Sequence, residues 1–137
     1  MAQVYITRCM YFSASHRLHT DLLSTHENEQ VYGLCNNPLG HGHNYELEIT
    51  LKGEPDPVTG MVIDLKELKE IVERELLVKV DHKHLNHQVD FLAGVVPTAE
   101  NMVIAFWNIL KDKFPHGKLH ELVLYETPRN IARYQGE

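Results

Sequence analysis

The feature that most constrains the fold is a strict two-residue alternation. Tyr45, Leu47, Ile49 and Leu51 are apolar, while Glu46, Glu48, Thr50 and Lys52 between and after them are polar or charged. Successive side chains of a strand point to opposite faces, so this run reads as a strand with one face on a core and the other toward water. The apolar parity runs back through His43 to His41. An earlier segment repeats the pattern: Val4, Ile6, Met10, Phe12 and Ala14 share a parity that only Arg8 interrupts and that ends on His16. Near the C-terminal end, Leu119–Glu126 and Ile131–Tyr134 read as strands flanking Thr127-Pro-Arg-Asn130, which has the composition of a hairpin turn.

Between the two strand pairs the period changes. After the turn-rich Pro55-Asp-Pro-Val-Thr-Gly60, Asp64 has N-cap chemistry with Glu67 three residues on, and Leu65, Leu68, Val72 and Leu76 mark one helical face. Thr98 offers a second N-cap before Met102, Phe106, Ile109 and Leu110. The stretches His19–Gly40 and Asp81–Pro97 read as long loops. Strand, strand, helix, helix, strand, strand predicts an α+β layer: a four-stranded antiparallel sheet with two helices on one face. The other face then has no cover and the sheet has two open edges, which predicts a homo-oligomer.

At 137 residues the chain suits a single domain spanning 1–137 with one core. Thirteen Lys and Arg against nineteen Asp and Glu leave a net charge of −6, which argues against a nucleic-acid or anionic-membrane surface. No apolar stretch approaches the roughly 20 residues of a membrane span, and no basic-then-apolar signal opens the sequence, so the expected location is the cytoplasm. Two cysteines, Cys9 and Cys35, are too few for a disulfide framework. Ten histidines need a reason.

The sharpest motif is Cys35-Asn-Asn-Pro-Leu-Gly-His41-Gly-His43-Asn-Tyr45. Two imidazoles two residues apart on a strand project to the same side, and His16 ends the matching parity of the first strand. If those strands pair, three histidines converge, which is the donor set of a catalytic zinc with one position open. The alternative is a polar strand end. A second pair, His82 and His84, competes for the metal but sits in a stretch without alternating flanks. Asp81 beside His82 looks more like an acid/base pair, and His84 and His87 are expected to be solvated. Cys35 is near enough in sequence to sit beside the metal, where a cation would favour its thiolate as base or nucleophile; Cys9 is expected to be buried and inert. Glu126 shares parity with Leu122 and Leu124, so a carboxylate ends an apolar face. There it needs a partner such as two parallel N–H donors of a ligand, unless it is simply an exposed strand end. Glycine-rich phosphate loops are absent.

Phe12-Ser-Ala-Ser-His16-Arg-Leu, Cys35-Asn-Asn-Pro-Leu-Gly-His41-Gly-His43-Asn-Tyr, Asp56-Pro-Val-Thr-Gly-Met61, Asp81-His82-Lys, Thr98-Ala-Glu-Asn101 and Tyr125-Glu126-Thr together resemble the 6-pyruvoyl-tetrahydropterin synthase family over essentially the whole chain. The resemblance implies the tunnelling fold, with trimers closing a twelve-stranded β-barrel and two trimers stacking into a hexamer. It implies a lyase that converts 7,8-dihydroneopterin triphosphate to 6-pyruvoyl-tetrahydropterin and triphosphate, on the route to tetrahydrobiopterin. Carried over by motif, His16, His41 and His43 bind Zn2+, Cys35 abstracts a proton, and Asp81 with His82 forms a relay supplied across a subunit interface. Glu126 anchors the pterin, and Thr98 and Glu100 line its pocket. Triphosphate contacts stay open among Arg17, Lys79, Lys83 and Arg129, as does a Mg2+ accompanying the triphosphate. Two rival readings remain. One is 6-carboxy-tetrahydropterin synthase of queuosine biosynthesis, which typically has three residues between the cysteine and the first histidine where this chain has five. The other is a non-catalytic pterin- or zinc-binding oligomer.

Overall fold

The two alternating segments pair with each other along their whole length. In the computed structural model, which describes residues 1–137, β1 (Val4–His16) runs antiparallel to β2 (His41–Gly53), with Val4 opposite Gly53 and His16 opposite His41. Tyr45, Leu47, Ile49 and Leu51 are fully buried. A slip of one residue would exchange them for Glu46, Glu48, Thr50 and Lys52. At roughly 1.5–3 kcal/mol per large apolar side chain, plus the desolvation of the charges, that loss is comparable with the whole stability of a typical domain, so one register holds.

The chain continues as α1 (Thr25–Tyr32), between β1 and β2, and after β2 as α2 (Leu65–Val72), a π turn (Glu73–Leu77), α3 (Val78–Val80), β3 (Lys83–His84), α4 (Ala99–Leu110), β4 (Lys118–Thr127) and β5 (Asn130–Tyr134). The sheet order is β3-β1-β2-β4-β5. The fold is α+β as expected, but the sheet has five strands and is mixed. β3 pairs parallel to β1, Ala14 with Lys83 and Ser15 with His84, because Leu85 N–H also donates to Ser15 C=O and draws the segment onto the edge. A strand of two residues leaves no readable alternation, which is why that segment reads as a loop.

The stretch His19–Gly40 is likewise more ordered than expected. α1 is capped by a full capping box, Ser24 Oγ accepting from Glu27 N–H and Glu27 Oε1 from Ser24 N–H. Its one buried residue is Asn28, whose amide bonds to the backbone of Thr20, Leu23 and Ser24. A helix held by a polar residue shows no apolar stripe, which is why the segment reads as a loop.

The expected caps at Asp64 and Thr98 are present, accepting from Lys66 and Asn101 N–H. α2, the π turn that follows it and α4 lie on the apolar face of the sheet, where Leu68, Val72, Leu76, Met102, Phe106 and Leu110 are fully buried against Leu47, Ile49 and Leu122. The opposite face carries Cys9, Tyr11, Glu46 and Glu48; Cys9 is exposed there, contrary to the expectation of a buried thiol, because its parity is opposite to that of Met10. No helix is long and apolar enough to cross a membrane.

Candidate active site

At the end of the β1–β2 ladder the core face turns from apolar to imidazole. Phe12 stacks on Tyr45 with ring centroids 4.8 Å apart, and one step further His16, His41 and His43 meet. Their centroids are 4.7, 5.1 and 4.8 Å apart and the rings stand nearly edge to face. One ring nitrogen from each lies within 4.8 Å of the other two, so the three can hold one ion. Gly40 lets the strand begin at this point: its φ is +75°, and a Cβ there would stand 2.8 Å from His16 C=O.

The protonation pattern follows from the neighbours. His16 Nδ1 lies 2.8 Å from Pro97 C=O, which can only accept, so the proton is on Nδ1 and the Nε2 lone pair faces the cluster. Tyr45 Oη is 3.4 Å from the same nitrogen. Burial pushes His16 down to about 4 despite the opposing bond to Pro97, and burial likewise lowers His43 despite the nearby Glu126 carboxylate. Both rings are therefore neutral at pH 7. His43 Nε2 is buried and has no hydrogen-bond partner. A buried ring nitrogen without a partner, on one of three clustered imidazoles, suits a metal-ligand set, and the residues fit a divalent metal.

Glu126 Oε1 stands 3.7 Å from His43 Nε2 and has no Lys or Arg within ion-pair distance. It gets there through a register shift in the β4–β5 ladder: Tyr125 pairs with Ile131 and Thr127 with Asn130, leaving Glu126 as the extra residue. Glu126, Thr98 and Glu100 line one cavity of about 850 Å3 together with Leu18, Val103 and Arg129. Of the four cations left open for phosphate, only Arg129 lines it.

Asp81 and His82 form a pair, with Oδ1 of Asp81 2.9 Å from His82 Nδ1. Although partial desolvation opposes it, the Ser13 N–H donating to Asp81 Oδ1 and the His82 ring hold this carboxyl below its usual range. His82 has φ +59°, its own N–H donates to Ser13 C=O, and its side chain is 81% exposed. It lines a second cavity, of about 400 Å3, with Ser13, Asn44 and His84. His84 is not solvated as expected: it is half-buried in β3 and stacks on His87 at 4.4 Å, whereas His87 is exposed. Cys35 sits in a short 3-10 turn, Gly33–Asn36, half-buried and lining neither cavity. Sequence reasoning missed the roles of Pro97, Ser13, Asn36 and Asn86, because bonds to or from the backbone have no characteristic residue spacing.

Comparison with known proteins decides the family. The model of 6-pyruvoyl tetrahydropterin synthase matches residues 5–137. The chain belongs to the 6-pyruvoyl tetrahydropterin synthase family. Similar family members include the 6-pyruvoyl tetrahydrobiopterin synthases of Poecilia reticulata, 47% identical over 133 residues covering 97% of this chain and 90% of that protein, and of Homo sapiens, 45% identical over 135 residues covering 98% and 93%. The solved Caenorhabditis elegans 6-pyruvoyl tetrahydropterin synthase superposes with a TM-score of 0.94 at 42% identity, covering 100% of this chain and 98% of that one.

Proposed function

We propose that the protein is a zinc-dependent lyase that converts 7,8-dihydroneopterin triphosphate to 6-pyruvoyl-tetrahydropterin and triphosphate, a step of tetrahydrobiopterin biosynthesis. The single observation that carries the metal site is the buried, partnerless Nε2 of His43 within the cluster it forms with His16 and His41. Three histidines without a thiolate suit zinc with a position left for substrate. When bound, zinc supplies Lewis acidity toward the hydroxyls of the substrate's side chain.

The chain's own residues do the rest. Glu126 accepts two N–H bonds from the aminopyrimidinone edge of the pterin, with Thr98 and Glu100 on the same cavity wall. Cys35 thiolate takes a proton from the side-chain carbon. His82, oriented through Nδ1 by Asp81, moves protons at Nε2, each positioned transfer contributing on the order of 10²–10⁴ in rate. The exposure of His82 suits a residue presented to the site of a neighbouring subunit. We place the protein in the cytoplasm as one domain spanning 1–137, assembled into a hexamer of two stacked trimers with a shared β-barrel. Two features support the assembly: β3 pairs with only Ala14 and Ser15, leaving most of the long β1 edge without a partner, and Leu22, Leu34 and Leu39 are almost fully exposed.

The deciding assay incubates the protein with dihydroneopterin triphosphate, with and without chelator, and follows triphosphate release. Chelator-sensitive release with a pyruvoyl product in the mass spectrum is expected. A carboxyl side chain would move the protein to the 6-carboxy branch, and no turnover would leave a pterin- or zinc-binding oligomer. Light scattering tests the assembly; a stable monomer at micromolar concentration would remove it.

A further inference from the structure

Two segments that carry the proposed chemistry meet on one strip of backbone, Arg17–His19, directly after His16. On one side stands Asn86, five residues after Asp81. Its Oδ1 accepts from Arg17 N–H at 2.8 Å and its Nδ2 donates to Arg17 C=O at 2.8 Å. On the other side stands the turn that bears Cys35. Leu18 N–H donates to Cys35 C=O at 2.9 Å, and Asn36 Nδ2 donates to Leu18 C=O at 2.8 Å and to His19 Nδ1 at 3.0 Å. Arg17 Nε closes the set by donating to Asn36 C=O at 2.9 Å. Asn36 is only 5% exposed.

We propose that Asn36 and Asn86 are positioning residues. With their carboxamides they extend the hydrogen bonding beyond the end of β1, so that the Cys35 turn and the segment after Asp81 are both fixed against the strip leading out of His16. A carboxamide suits this task because it offers a donor and an acceptor on one short arm. Asn86 uses both in a two-way pair with one residue's backbone, as a neighbouring strand would. Asn36 uses its donor twice, toward a carbonyl that can only accept and a ring nitrogen that must then accept. Aspartate has nearly the same shape and lacks those donors, and a buried polar group left unpaired destabilises its conformation. A four-residue 3-10 turn has little internal bonding of its own, so these contacts set where the thiol sits.

The kinetic arm of this inference rests on the role proposed for Cys35; the reactivity arm does not. In a Cys9→Ser background Cys35 is the sole thiol, and its alkylation by iodoacetamide from pH 6 to 9 reports its placement. For Asn36→Asp the expectation is at least a fivefold change in alkylation rate and at least a tenfold fall in kcat, with KM within threefold and zinc content unchanged. Asn86→Asp shifts both in the same direction by less, and supplies the test if Asn36→Asp does not fold. A folded, zinc-loaded variant with kcat and alkylation within twofold of the parent would overturn the proposal, as would a kcat that merely tracks lost zinc. Altered alkylation in Asn36→Asp beside full turnover in Cys35→Ala would uphold the positioning role and remove Cys35 from catalysis.

Discussion

His41 and His43 lie in a strand paired over thirteen residues with β1, whereas His82 and His84 straddle the entrance to a strand of two residues. The spacing in sequence is the same. In the first pair strand alternation throws both rings to the core face, where His16 waits opposite, and burial keeps His16 and His43 neutral. In the second the left-handed φ of His82 breaks the alternation: His82 turns to Asp81 and solvent, and His84 stacks on His87. A His-x-His spacing therefore describes a shared face only where a regular strand enforces the period of two; elsewhere the two rings find separate partners.

The largest effect that could break this contrast is removal of a ligand. His41→Ala is expected to lose bound zinc by elemental analysis and to lose turnover beyond any other single change; retained zinc would transfer the metal to the His82 and His84 pair. Cys35→Ala is expected to lower turnover by about 10²–10⁴ while zinc content and pterin binding persist. Acid sharpens the contrast next. His16 lies at about 4 in the folded chain against an ordinary 6.5, so as pH falls below 6.5 the unfolded chain takes up the proton first. The metal-free protein should then lose up to about 3 kcal/mol between pH 6.5 and 4 and little more from this group below that, read from urea midpoints. His43, shifted the same way, adds to the loss; stability flat across the range would contradict the burial. Glu126→Gln is expected to raise KM about ten- to hundredfold, because charge-assisted hydrogen bonds contribute about 1.5–3 kcal/mol and 1.4 kcal/mol is tenfold. Smallest of all, His87→Ala should leave zinc content and turnover within twofold.

Much of the candidate site was legible because it lies on long, regular strands. The parity of Met10, Phe12 and Ala14 led to His16, that of Tyr45 and Leu47 led back to His43 and His41, and that of Leu122 and Leu124 led on to Glu126. α1 and β3 were not legible, since one is anchored by a buried asparagine and the other is too short to alternate. Cys9 was misplaced by a general rule about cysteines when the parity of its own strand put it outside.

The sequence by itself determined the faces of the long strands, the caps of α2 and α4, the order of those six elements and which residue types could bind a metal, because alternation and capping are local and depend on neighbours a few residues apart. Only the tertiary structure decided the register that sets His16 against His41, the Pro97 carbonyl that directs the proton of His16, the bulge that aims Glu126, and the amides that hold the Cys35 turn. Those depend on contacts between residues up to about eighty positions apart, where burial and unshared hydrogen-bonding groups select one arrangement from many that the local pattern allows.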